Sequence, residues 1–355
     1  EKVATLLGNS IAQLELILGT IAARGVIVPL SGLMAPETLR AMLENSEARY
    51  LFVDHDAVGQ LGPVRDRIAG IEPENIIVVS PNRSSGRNYA DWLSGHSSTI
   101  PAVDYQHDDP VSILYTSGTT GTPKGMEHSH LSRLLYPLCL GPCLEISGDT
   151  RTILTTPLYH NGTWTTMLPT LYCGGLVVIM NKFSGAQFRE IVERESCSHA
   201  FMVPTQLVVI SSECDLQSGA FDSLRLIMVS GSPLAPHTFN EIRRKLPNLS
   251  LCEIYGMGEG FMTLVGPSDY AVGKAGSVGR PITAADTDIK ILGDDGKPVA
   301  AGNTGEIVGT SAFLLTQYYR DPVRTREALW HDEVGRPYLR SGDLGHFDND
   351  GYLYV

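Results

Sequence analysis

The sequence predicts an α/β protein with mostly parallel sheets, followed by a smaller antiparallel β portion. Three observations carry that reading. Short apolar strand patterns alternate with helical patterns through residues 3–79. They alternate again from about residue 152 to residue 254. Beyond about residue 275, glycine, aspartate and alternating β-branched residues take over. Alternation of strand and helix makes crossover connections, hence parallel sheets covered on both faces. The later texture is that of antiparallel strands joined by tight turns.

Residues 3–7 read as a strand, and Gly8-Asn9-Ser10 as a turn whose serine caps a helix over 11–23. Gly25 closes that helix, and a second strand spans 26–30. Residues 36–45 read as a helix, 50–53 as a strand, 57–70 as a helix and 75–79 as a strand. The stretch 80–107 is polar and rich in serine and asparagine, and reads as a long surface connection. A buried strand follows at 111–114, then a helix over 130–140. In the second series, strands are expected at 152–155, 176–179, 199–203, 224–229 and 251–254, with helices at 185–195 and 236–246. Residues 286–292 and 305–309 read as antiparallel strands, with a tight turn at Asp294-Asp295-Gly296. These changes place boundaries near residues 145 and 272, giving units 1–145, 146–272 and 273–355.

At 355 residues the chain can bury a sizeable core and divide into two or three units. Lys plus Arg is 27 and Asp plus Glu is 39, a net charge of −12. That balance excludes a general nucleic-acid surface but not a nucleotide, which needs only local positive charge and N–H donors. The six cysteines form no Cys-x-x-Cys and no zinc-finger spacing with histidine. With no secretory signal, reduced thiols in a cytoplasmic enzyme are expected. The apolar stretch 11–30 holds Glu15 and Arg24, so it reads as a buried helix leading into a strand rather than a membrane span. No internal repeat or low-complexity tract is present in the pattern.

The stretch that organises the rest is Tyr115-Thr116-Ser117-Gly118-Thr119-Thr120-Gly121-Thr122-Pro123-Lys124-Gly125. Its glycines allow the backbone to turn tightly against a ligand. Its hydroxyls are donors, Lys124 is a point charge, and successive N–H groups form an anion-binding nest. That chemistry suits a polyphosphate. It is not a Walker A loop, because Pro123 precedes the lysine and Gly125 follows it. A generic Gly/Ser/Thr loop would read as a surface turn; this ordered string resembles the phosphate loop of the adenylate-forming superfamily. That superfamily contains acyl-CoA synthetases, luciferases and the adenylation domains of peptide synthetases.

Four further segments match the same superfamily in its own order. Pro157-Leu158-Tyr159-His160-Asn161-Gly162 resembles the Pro-x-x-His segment that borders the acyl pocket in acyl-CoA and aryl-CoA ligases. Val229-Ser230-Gly231-Ser232-Pro233-Leu234 resembles the turn whose backbone lies along adenine. Glu253-Ile254-Tyr255-Gly256-Met257-Gly258-Glu259 resembles the Tyr-Gly-x-Thr-Glu segment, with Tyr255 for adenine stacking and Glu259 for Mg²⁺. Here Gly258 replaces the usual threonine, removing a hydroxyl that meets the α-phosphate in the family. Tyr338-Leu339-Arg340-Ser341-Gly342-Asp343-Leu344 resembles the segment ending Gly-Asp-Leu, whose aspartate accepts both ribose hydroxyls. Arg320 and Arg340 are expected to form structural ion pairs.

The resemblance implies two αβαβα-type layered subdomains with mostly parallel sheets plus a distorted antiparallel β-barrel. It implies ATP, Mg²⁺ and coenzyme A as cofactor and co-substrates, and a small-molecule carboxylic acid as substrate. Lys124, His160 and Glu259 are the implied catalytic residues, with Glu259 as metal ligand. Thr116, Ser117, Gly118, Thr119, Thr120, Gly121, Lys124, Gly231, Ser232, Pro233, Glu253, Ile254, Tyr255, Gly256, Met257, Gly258 and Asp343 are the implied nucleotide contacts. The pocket wall would include Tyr159, His160, Phe201, Val203, Ser230, Gly231, Met257 and Gly260. Family members continue past the segment Gly351-Tyr352-Leu353-Tyr354-Val355 into a hinge and a C-terminal lid with a further lysine, so that lid is expected to be absent here. Amino-acid activation usually places an aspartate in the pocket segment; Asn161, Gly162, Thr163 and Trp164 supply none, which favours a plain carboxylic acid. Adenylation of an amino or aryl acid for a carrier protein, and a non-catalytic nucleotide or acyl binder, stay open as alternatives. So do the acid's chain length and the oligomeric state, a homodimer included.

Overall fold

A computed structural model describes residues 1–63, 68–79, 87–116 and 124–355. In chain order the elements begin β1 Lys2–Leu6, α1 Ile11–Ala22, β2 Val26–Pro29, α2 Pro36–Ser46, β3 Tyr50–Asp54, α3 His55–Leu61, β4 Ile76–Val79, β5 Arg87–Asn88, α4 Tyr89–Ser94, β6 Pro110–Thr116 and β7 Lys124–Ser129. They continue with α5 His130–Cys143, β8 Arg151–Leu154, α6 Asn161–Tyr172, β9 Leu176–Ile179, α7 Gly185–Glu195, β10 His199–Met202, α8 Pro204–Glu213, β11 Leu226–Val229, α9 Pro236–Lys245, β12 Ser250–Gly256 and β13 Met262–Val265. The remainder is α10 Pro267–Ala271, β14 Arg280–Pro281, β15 Asp288–Leu292, β16 Gly305–Thr310, β17 Gln317–Tyr318, α11 Pro322–Glu327, β18 Leu329–His331, β19 Pro337–Phe347 and β20 Leu353–Tyr354. The chain divides into two compact units. The first is Glu1–Arg133 with Pro157–His160 and Leu315–Thr325; the second is Leu134–Thr156, Asn161–Leu314 and Arg326–Val355.

The first unit holds an eight-stranded sheet in the order β17-β7-β6-β2-β1-β3-β4-β5. Strands β6, β2, β1, β3, β4 and β5 run parallel, while β7 and β17 are antiparallel to their neighbours. Alternation along each strand separates two cores. Ala4, Leu6, Leu51, Val53 and Ile113 meet α2 and α3 through Leu39, Met42, Leu43 and Leu61. Leu7, Phe52 and Ile77 meet Leu16 of α1 and Trp92 near the sheet's far edge. Ser10 caps α1 as expected, its side chain accepting from the Gln13 N–H.

Two local expectations change in this unit. Helix α3 is His55–Leu61, followed by a turn at Gly62-Pro63, and residues 64–67 of the helix expected over 57–70 lie outside the described residues. The stretch read as a surface connection contains β5 and the short helix α4. No local periodicity would sustain six residues of helix. Packing does: Tyr89 and Trp92 lie edge-on to Phe52 at centroid distances of 5.9 and 5.2 Å.

The second unit holds a seven-stranded sheet in the order β14-β13-β12-β11-β10-β8-β9. Its strands β9, β8, β10, β11 and β12 are parallel. One face carries Ile153, Ala200, Met202, Ile227, Val229 and Leu251 against α7, α8 and α9. On the other face Thr152 bonds Thr170 of α6 at 2.6 Å. Helices α6 and α8 were not visible in the pattern. Helix α6 is buried nearly all round and carries Pro169 and four threonines, so it shows no apolar stripe. Its hydroxyls are satisfied internally, as where Thr170 donates to the Thr166 carbonyl at 2.8 Å. The third sheet, β15-β16-β19-β18 with β20 beside β19, is the expected distorted antiparallel barrel portion. All six cysteines are free thiols.

His199 sits in this fold as a neutral group. Its Nε2 lies 3.0 Å from the Leu144 carbonyl, its Nδ1 lies 2.9 Å from Ser198 Oγ, and burial lowers its pKa below the ordinary histidine value. The folded chain therefore binds fewer protons at this site than the unfolded chain does. Stability must fall as pH drops below about 6.5, where the unfolded histidine charges. His199→Gln is expected to flatten the decline of the thermal midpoint between pH 7 and pH 5. A slope unaltered by that substitution assigns the decline to other groups.

Candidate active site

In the first unit, β6 is buried through Leu114 and emerges at an exposed Thr116. Its pairing with β7 sets Thr116 opposite Lys124, so the lysine is the first residue of a strand rather than part of the loop it closes. Ser117, Gly118, Thr119, Thr120 and Gly121 lie outside the described residues. The hairpin's base is clamped. A Cβ on Gly125 would stand 2.9 Å from Ile113 Cγ2 and 3.1 Å from the Tyr115 ring, so a larger residue there would force both side chains to shift. Tyr115 donates its hydroxyl to Asn45 Oδ1 at 2.6 Å.

The returning segment Leu315–Thr325 holds β7 from its other side. Strand β17 pairs with Met126 and Glu127, and the Tyr319 N–H donates to the Gly125 carbonyl at 2.7 Å. The Tyr319 hydroxyl bonds Glu47, which also pairs with Lys2 and Arg320, both at 3.3 Å. Arg320 thus takes the structural ion-pairing part expected of it, as does Arg340 with Glu306. Nothing local in the sequence marks the Tyr319 clamp, because its partner lies 272 positions away.

His160, also in the first unit, ends a turn in which its N–H donates to the Pro157 carbonyl at 3.0 Å. The Leu158 N–H donates to Asn9 Oδ1 at 2.8 Å and fixes that turn. The imidazole keeps an open face to solvent, while the protein packed around it lowers its pKa. It is neutral at pH 7, able to donate from one nitrogen and accept at the other. Tyr159 beside it is half-buried.

The second unit gathers most of the remaining residues at one edge. Registers pair Met202 with Val229 and Val229 with Glu253, so Val203, Ser230 and Ile254 follow side by side at the carboxyl ends of β10, β11 and β12. Ligands of open parallel sheets bind at such edges. Phe201 is fully buried beneath, and Val203 Cγ1 lies 3.5 Å from where a Cβ on Gly231 would be. Gly231 has φ +95°, a left-handed conformation that leaves its backbone open to solvent together with Ser232 and Pro233. Helix α9 begins only at Pro236, so Pro233 belongs to the turn. Ser230 donates to the Ile254 carbonyl at 2.8 Å, and Glu253 accepts from Tyr270 at 3.0 Å and from the Leu234 N–H. Burial raises the Glu253 pKa, and those two donors oppose the rise. The Ser230 and Leu234 bonds fasten the glycine turn to β12.

Strand β12 ends at Tyr255-Gly256 and turns back through Met257, Gly258, Glu259 and Gly260 into β13. Glu259 is 8% exposed, not the solvated carboxylate a surface turn would carry. The Tyr255 hydroxyl donates to Asp343 Oδ2 at 2.9 Å, across 88 positions of sequence. Asp343 itself is exposed. One unit therefore brings together the glycine turn, the Tyr255 ring, Glu259 and Asp343.

A buried network that the sequence reading missed supports this edge. Gln206 donates to the Thr155 carbonyl at 3.0 Å and accepts from the Val203 N–H at 3.2 Å, while Thr155 donates to the Phe201 carbonyl at 2.8 Å. Gln206 at the third helical position after a strand end was the available signal. Among the described residues no group of three or more His, Cys, Asp or Glu could hold a metal ion. A buried, fixed carboxylate still fits Mg²⁺ in a nucleotide complex. That ion keeps waters and phosphate oxygens for most of its shell and needs one or two protein carboxylates. Among the described residues no helix is long and apolar enough to cross a membrane.

Comparison with known proteins adds four findings. Residues 1–319 match the family model described as AMP-binding enzyme. The chain is 32% identical to the sulfoacetate–CoA ligase of Cupriavidus necator over all of its own length and 67% of that enzyme's. It is 30% identical to the indoleacetate–CoA ligase of Aromatoleum aromaticum, covering 98% of this chain and 66% of that one. The inhibitor-bound N-terminal domain of FACL13 from Mycobacterium tuberculosis superposes with a TM-score of 0.87 at 26% identity, over 100% of this chain and 85% of that one. The chain spans about two thirds of the length of the curated relatives it matches.

Proposed function

The chain belongs to the AMP-binding enzyme family, and from that premise we propose that it works as an AMP-forming acid–thiol ligase using ATP, a small-molecule carboxylic acid and coenzyme A. The carboxylate attacks the α-phosphorus of ATP, the bond to the β-phosphate breaks, and pyrophosphate leaves. The CoA thiol then attacks the acyl carbon, loses its proton, and AMP leaves with the bonding pair. The observation that carries this reading is the arrangement at the carboxyl edge of β10–β12. The exposed glycine turn at 231 follows β11 beside β12, and β12 carries Tyr255, whose hydroxyl donates to Asp343; this placement within the second unit supports adenosine binding there.

Each residue has a distinct part. The backbone of Gly231-Ser232-Pro233 and the Tyr255 ring flank adenine. Asp343 has a second carboxylate oxygen beyond the Tyr255 bond with which to accept from a ribose hydroxyl. Lys124 stands at the mouth of the 116–124 hairpin as positive charge against phosphate. His160, neutral, orients a carboxylate oxygen by hydrogen bonding without adding positive charge beside it. Glu259 would hold Mg²⁺, which supplies charge neutralisation on the phosphates.

Acid-dependent ATP–pyrophosphate exchange by the full-length protein tests the first half-reaction, over a panel including sulfoacetate, indoleacetate and fatty acids. Thioester formation with CoA, set against a carrier protein, tests the second. Exchange with some acid followed by CoA thioester is the expected result. Gly258, standing where the family has threonine, favours one other outcome: ATP bound with no exchange, which would make the chain a nucleotide binder. Lys124→Ala is expected to lower exchange by at least about tenfold, the size of a lost charge-assisted contact to a developing charge. The thermal midpoint should move little, because the side chain is half-buried at a hairpin mouth. A matching loss of stability would return Lys124 to a structural role.

A further inference from the structure

Strands β16 and β19 do not pair evenly. Glu306 faces Leu344 and Val308 faces Arg340, so the single residue Ile307 stands opposite Ser341, Gly342 and Asp343. Gly342 has φ +77°, which lets β19 bulge outward at that point. A bulge interrupts the ladder and leaves backbone groups without their strand partners. Here one hydroxyl replaces the ladder. Ser341 Oγ donates to the Ile307 carbonyl at 2.7 Å and accepts from the Asp343 N–H at 3.0 Å. On the carboxylate itself, the Tyr255 hydroxyl donates to Asp343 Oδ2 at 2.9 Å.

We propose that Ser341 is a positioning residue for nucleotide recognition, fixing the bulge so that the Asp343 carboxylate is presented to ribose at one angle. Asp343 is exposed and borne on two extra residues of strand. Without a strut, its backbone N–H and the Ile307 carbonyl would turn to water and the carboxylate would sample many directions. The hydroxyl does not touch the nucleotide; it removes the freedom that binding would otherwise have to remove. The proposal rests on the ribose role assigned to Asp343 above.

The test compares equilibrium binding of ATP and of 2′,3′-dideoxy-ATP by calorimetry, in the full-length wild type, Ser341→Ala and Ser341→Thr. The wild type should prefer ATP. Ser341→Ala should bind ATP about three- to tenfold more weakly, the size of one hydrogen bond's net contribution. It should bind the dideoxy nucleotide as the wild type does. Ser341→Thr, which keeps the hydroxyl, should restore ATP affinity. Equal losses on both nucleotides, or no loss on ATP, would overturn the positioning role while the ligase reading stands. A wild type that binds both nucleotides equally would remove the ribose role of Asp343, and this inference with it.

Discussion

Glu259→Gln is expected to lower acid-dependent ATP–pyrophosphate exchange by about 10²–10³-fold, the range seen when one group that stabilises developing transition-state charge is removed. The substitution keeps the side chain's length and shape and removes only its charge. The thermal midpoint should therefore stay close to that of the wild type. Glu259 is 8% exposed and lies in the β12–β13 turn, four positions beyond Tyr255. In the proposed reaction this carboxylate would hold Mg²⁺ bound with ATP, so exchange and nucleotide affinity should fall together. Raising the Mg²⁺ concentration should recover part of the loss. Exchange at the wild-type rate would take Glu259 out of the site and leave its burial as a matter of packing.

Gly260→Ala is expected to act on the same turn by another route. Its Cβ would stand 2.4 Å from Leu314 Cα and 2.7 Å from both Leu314 N and the Phe313 carbonyl oxygen. These are backbone atoms, which cannot swing aside as a side-chain tip does. The residue also has φ +144°, a conformation that alanine resists. Its carbonyl accepts from Ser311 Oγ at 2.8 Å and its N–H donates to the Met257 carbonyl at 3.0 Å, so the turn is tied on both sides. We expect a loss of about 3 kcal/mol from overpacking and backbone strain, read as a drop in denaturant midpoint. Exchange should fall as well, because Glu259 would move with the turn. A midpoint within error of the wild type would show that the Phe313–Leu314 segment gives way without cost. The two substitutions are neighbours in sequence and should separate cleanly. Glu259→Gln costs activity at constant stability, and Gly260→Ala costs both.

Much of the architecture was legible because it rests on local pattern. The expected helix at 185–195 and strand at 176–179 appear with those bounds. Where local pattern was lacking, the reading failed for identifiable reasons. Helix α4 depends on Phe52, which lies far away in sequence, and α6 is buried on every side and so has no stripe to see.

The candidate site divides in the same way. Sequence by itself determined which residue types stand in which order: the glycine-and-hydroxyl string ending at Lys124, the glycine turn at 231, Tyr255 with Glu259, and Asp343. It also determined the family, because that order is a property of the chain. Only the tertiary structure decided that Lys124 begins a strand opposite Thr116, that Tyr319 reaches back to Glu47, and that Ser341 spans a bulge to hold Asp343 beside Tyr255. The physical reason is the range of the interactions. Capping, turns and strand patterns are settled between near neighbours, whereas a hydrogen bond joining residues 88 or 272 positions apart exists only once the sheets between them have closed.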